Sequence, residues 1–90
     1  MLSLKETKAY LRVDTSDEDS LIKMLIEQAE QRVMDVGRIS ESEMEEDGNN
    51  CRIAALYAVA YLFEHREDAD LRKLSLSLRD ILSGVREVTF

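Results

Sequence analysis

Three stretches of the 90-residue sequence hold side chains able to do chemistry: the lone histidine in AYLFEHRED (residues 60–68), the lone thiol Cys51, and the oxygen-rich run Asp14-Thr15-Ser16-Asp17-Glu18-Asp19. A zinc site would need His65 and Cys51 close together. They stand 14 residues apart, about 21 Å along one helix at a rise of about 1.5 Å per residue, so no Cys/His site forms within that helix. No serine has a nucleophile-elbow context, and a histidine beside a single glutamate, Glu64, does not signal catalysis. His65 falls in the last turn of an apolar helix, where an imidazole meets the negative dipole end and can bond an unpaired carbonyl. The sequence therefore gives it a structural role.

The acidic run invites comparison with a calcium loop. Placing Asp14, Ser16 and Glu18 at the first, third and fifth EF-hand positions leaves Asp19 where the turn glycine belongs and Leu25 where the bidentate glutamate belongs. Without either, the match fails. A helix start explains the same residues: Thr15 and Glu18 predict a capping box, and the acids sit at the positive end of the helix dipole, each contributing about 0.3–1 kcal/mol. The chain also lacks paired carboxylates in an apolar setting, a phosphate-binding glycine loop and a nucleophile with its base. The sequence thus predicts no enzyme, no catalytic residue, no metal and no cofactor.

Size and charge narrow the remaining classes. Ninety residues make one domain, residues 1–90, that buries only about 60–65% of its unfolded surface, leaving apolar area for neighbours. Nineteen acids against twelve bases give a net charge of −7, which opposes nonspecific binding to nucleic acid yet suits a surface that DNA passes without sticking. One cysteine permits no intrachain disulfide, and the sequence shows neither a leader nor a stretch long enough to cross a bilayer, so it reads as soluble and cytoplasmic with no membrane partner.

The elements that would position these side chains are helical. No proline, three glycines and abundant Leu, Glu, Lys, Arg and Ala predict an all-α fold: a small bundle of about four helices with a buried central helix and an extended C-terminal tail. Ser3 and Glu6 predict a capping box opening a helix over 3–12. Leu21, Ile22, Leu25, Ile26, Ala29, Val33 and Val36 recur at helical spacing over 17–36, with Gly37 as a left-handed C-cap. Residues 39–49, acidic and unpatterned, predict a solvated loop.

A third helix over 50–65, capped by Asn49 or Asn50, has no charge between Ile53 and Phe63 and is apolar all round, as a central element should be. Asp68 or Asp70 caps a fourth over 70–82, with Leu71, Leu74, Leu78, Ile81 and Leu82 on one face. Gly84 stops it, and the tail, residues 84–90, alternates apolar and polar like a strand without a partner in its own chain.

The order LKETKAYLRVD, DEDSLIKMLIEQAEQRV ending in Gly37-Arg38, an acidic loop, an Ala-rich helix into YLFEHRE, and a closing SLRDILSGVRE resembles the small head-tail connector (adaptor) proteins of long-tailed bacteriophages and prophages. The resemblance spans nearly the whole chain; the loop from Ile39 to Asn50 matches nothing in it. It implies a non-enzymatic structural virion protein that forms a homo-oligomeric ring, twelve-fold on the portal protein. Such a ring extends the DNA channel in the virion neck, is assembled in the host cytoplasm, and meets a stopper or tail-completion protein. Under that resemblance Val85, Val88 and Phe90 are expected to make intermolecular contacts, and Arg79 and Arg86 are expected either to pair with acids of an adjacent subunit or to remain solvent-exposed charges. The competing expectation, from Glu41, Glu43, Glu45, Glu46 and Asp47, is a small acidic helical regulator of antitoxin or DNA-mimic type binding a basic partner.

Overall fold

A computed structural model of the protein describes residues 2–47 and 49–86. The chain runs α1 (Leu4–Leu11), α2 (Asp19–Gly37), α3 (Glu41–Asp47), α4 (Asn49–Glu64) and α5 (Leu71–Arg86), with no strand among the described residues. The all-α expectation holds, with one helix more than the sequence pattern predicts.

Helix α1 starts as its capping box requires. The Glu6 backbone N–H donates to Ser3 Oγ at 3.0 Å, and the Ser3 N–H donates to the Glu6 carboxylate at 3.3 Å. Buried Thr7 is satisfied locally, its hydroxyl donating to the Ser3 carbonyl at 2.8 Å. Too short to stand alone, α1 is tied down by ion pairs from Lys8 to Asp19 at 2.7 Å and from Glu6 to Arg52.

Helix α2 corrects two expectations. It starts at Asp19, later than predicted, with Glu18 at the N-cap and no side-chain cap bond, so the Thr15–Glu18 box does not form. The Glu18 carboxylate is engaged elsewhere, by Arg66 at 2.7 Å, and residues 15–18 form a turn closed by the Asp19 N–H on the Ser16 carbonyl. At the other end Gly37 is not the left-handed cap. It stays helical and buried, and Arg38 takes φ 55°, ψ 47°, its N–H donating to the Met34 carbonyl. Gly37 is needed for space: a Cβ there would lie 3.3 Å from Leu82 Cδ1 and 3.5 Å from Ile39 Cδ1.

The loop expected over 39–49 is instead largely helix α3. Ser40 and Glu43 form a second reciprocal capping box, with N–H to carboxylate at 2.8 Å and N–H to hydroxyl at 3.2 Å. Ile39 and Met44 occupy the flanking positions of a hydrophobic staple, and both pack on the core, Met44 fully buried. The box and one anchoring side chain outweigh the repulsion among five acids.

Helix α4 packs against each of the other four helices, as a central element should. Cys51, Ala54, Ala55, Ala58 and Val59 are fully buried, the alanines allowing close approach of α2 and α5. It is only partly enclosed, however. Ile53 and Tyr57 are 54% and 38% exposed, because a ninety-residue chain has too few elements to surround a sixteen-residue helix on every side. Asn49 and Asn50 lie inside the helix, and its last helical residue is Glu64.

Asp70 caps α5, accepting from the Lys73 N–H at 3.1 Å, while the Asp70 N–H donates to the Tyr61 hydroxyl at 2.8 Å and fixes the corner between α4 and α5. Leu74, Leu78 and Leu82 are buried against α2 and α4; Leu71, at the helix start, is exposed. Gly84 does not stop α5, which continues to Arg86, so the extended tail does not begin at 84. The helical hydrogen bonding reached by the preceding turns carries through a single glycine, a residue that lowers helix propensity by only about 1 kcal/mol. The rest of the expected tail, residues 87–90, lies outside the described residues.

Candidate functional site

The residues with chemical potential are dispersed, each held in a structural contact. His65 continues the α4 hydrogen bonding, its N–H donating to the Tyr61 carbonyl at 2.9 Å. Its ring stacks on Tyr61 with centroids 4.4 Å apart, and Nδ1 lies 3.3 Å from Asp68 Oδ1. Packing, rather than capping by the ring, is its role. Cys51 is buried at the start of α4. In the acidic run, Glu18 and Asp19 are spent on Arg66 and Lys8. Among the described residues no group of three or more His, Cys, Asp or Glu side chains is placed to hold a metal ion.

The grooves follow suit. An open groove of about 490 Å³ runs between α2 and the start of α5, lined by Glu27, Gln28, Gln31, Arg32, Asp35, Leu62 and Leu71. Another, about 550 Å³, lies along α1 beside Leu4, Lys8, Ala9 and Val13. Neither contains a serine, cysteine or histidine, so neither pairs such a nucleophile with a base. The Glu6 carboxyl is held below its ordinary pKa by the hydrogen bond from Arg52 and by the Ser3 N–H, which makes it a structural anion joining α1 to α4.

What the surface offers is contact. Large apolar side chains stand exposed on four helices: Tyr10 on α1, Met24 on α2, Ile53 and Tyr57 on α4, and Leu71 and Leu76 on α5. Of the interface residues expected from sequence, Arg79 is exposed on α5, Val85 and Arg86 fall in the last helical turn, and Val88 and Phe90 lie outside the described residues. The sequence reading passed over Arg72 and Leu76, which share the outer face of α5 with Arg79; the spacing of four and then three residues between them is the signal that marks that face.

No described helix is long and apolar enough to cross a membrane. No curated protein and no solved structure matches the chain. The model of one protein family does, that of the phage gp6-like head-tail connector proteins, over residues 1–86. With nearly the whole chain covered, and with a helical surface built for contact, the protein belongs to this bacteriophage family of structural head-tail connectors.

Proposed function

We propose that the chain forms a ring of identical copies beneath the portal protein, extends the DNA channel through the virion neck, and presents its far side to a stopper or tail-completion protein. The family match over residues 1–86 carries this reading. Two features support it: a net charge of −7, which lets a duplex slide past without adhering, and large apolar side chains left exposed on four helices of a small bundle. The ring follows the twelve-fold symmetry of the portal and is assembled in the host cytoplasm. The neighbour and partner contacts draw on Arg79, Val85, Arg86, Val88 and Phe90. Chemistry is not required of it; the work is done by shape and contact.

Electron microscopy and mass measurement of the purified chain, alone and mixed with the portal protein of its phage, test the proposal. A closed ring seated on the portal is expected. A chain that stays monomeric alone and never joins the portal sinks it.

A further inference from the structure

Two helices carry surface charge that nothing among the described residues answers. Helix α3 holds five acids and no base. Glu43 is used by the Ser40 cap, but Glu41, Glu45 and Glu46 are exposed and make no hydrogen bond or ion pair among the described residues. Glu41 and Glu45 also stand one turn apart, a like-charge spacing that works against the helix carrying it. Helix α5 is the reverse, with four bases against one acid. Arg72, Leu76 and Arg79 form a single outer stripe, all three exposed, and neither arginine has a hydrogen bond or ion pair among the described residues. The stripe lies opposite the Leu74–Leu78–Leu82 face that α5 buries against α2 and α4. It therefore points away from the bundle on which α3 sits.

We propose that the Arg72–Leu76–Arg79 stripe of α5 is a docking surface for the acidic helix α3 of a second copy of this chain. The proposal rests on the ring reading and names the contact between neighbours within it. The charges are complementary: the most acidic helix of the chain meets the most basic, and Leu76, 51% exposed, supplies the apolar centre between two guanidinium groups suited to carboxylates. Because donor and acceptor surfaces differ, each copy offers one of each and the contact repeats head to tail, as a closed ring demands. A nucleic-acid backbone is the other occupant that arginines attract, but a chain of net charge −7 repels it, and α3 would have no part in holding it.

Charge reversal in two variants tests this. The first is R72E/R79E and the second E41K/E45K; all four positions are exposed, so both should keep the fold by circular dichroism, with E41K/E45K melting only slightly lower because Glu41 lies in the first turn of α3. Assembly is read by mass photometry and sedimentation, alone and on the portal. Each variant by itself is expected to assemble at least about tenfold more weakly. An equimolar mixture of the two is expected to recover assembly, because each reversed helix then meets its complement on the other variant, and the unaltered assembly should weaken as salt rises. A ring formed normally by both single variants overturns the α3–α5 contact while leaving the ring reading intact. So does loss of assembly in both variants with no recovery on mixing. Weaker DNA binding in R72E/R79E, with assembly unchanged in both variants, assigns the stripe to nucleic acid and also overturns it. An unaltered chain that is monomeric with and without the portal removes the ring reading together with this one.

Discussion

Helices α3 and α4 are separated by a single residue and are built on opposite terms. α4 carries no charge from Ile53 to Phe63 and is the element every other helix touches; its order comes from burial. α3 carries five acids in seven residues and buries one large side chain, Met44; its order comes from a reciprocal cap and a single anchor. The difference separates two kinds of stability in one small protein. The interlocked α2, α4 and α5 share a core and should unfold together, whereas α3 can detach without opening that core, which leaves its acidic surface available to other molecules.

The largest effect should come from the shared core. Leu78 is fully buried at the middle of α5, so Leu78→Ala is expected to cost about 2–5 kcal/mol and to lower the single cooperative melt of the whole bundle. Met44→Ala removes a side chain of similar size and equal burial, but its cost should be local, at or below the bottom of that range, about 2 kcal/mol. Hydrogen exchange separates the two: in Met44→Ala the amides of residues 41–47 should exchange early while those of 54–62 and 74–82 keep their protection. Equal loss of protection everywhere would join α3 to the core and erase the contrast.

How these elements read from sequence follows the same division. Helices α2 and α5 were legible because one-sided burial imposes a period, as in Leu74, Leu78 and Leu82; α4 was legible as an uncharged run from Ile53 to Phe63 and α1 from its Ser3–Glu6 capping box. Helix α3 was not, because one anchor makes no period; its only signals were Ser40 with Glu43 and Ile39 with Met44, a capping box and a staple set in an acidic background. Glycine misled at both helix ends. Gly37 reads as a left-handed cap, but the approach of Leu82 claims the position for its lack of a side chain, and the unusual backbone passes to Arg38. Of the proposed α5 docking stripe, the sequence pointed to Arg79; Arg72 and Leu76 join it once the burial of Leu74 and Leu78 fixes which way α5 faces.

Arg38 gives the next test, between the core and α3. A non-glycine residue at φ 55° bears a strain that glycine does not, so Arg38→Gly is expected to stabilise the protein by about 0.5–1 kcal/mol, the gain being offset in part by the greater freedom of glycine in the unfolded chain. A rise in the melting temperature of the whole bundle would place the α2 terminus with the core. A change confined to the exchange of residues 41–47 would place it with α3.

The smallest effect belongs to the Glu6–Arg52 pair, which fastens α1 to α4 at the surface. Arg52 and the Ser3 N–H hold the Glu6 carboxyl below its ordinary value of 4.5, so the folded state binds a proton there less readily than the unfolded one. The stabilisation is therefore fully present above about pH 4.5 and is lost as pH falls through the lowered folded value. Exposure to water keeps it small, about 0.5–1 kcal/mol. Glu6→Gln should lower stability by about that much at pH 7 and by progressively less toward pH 3, the two melting curves converging under acid. Because α1 lies outside the interlocked α2, α4 and α5, the loss should appear mainly as faster exchange of residues 4–11. A pH-independent deficit spread over the whole bundle would instead make α1 part of the cooperative core, and leave α3 as the one helix that stands apart.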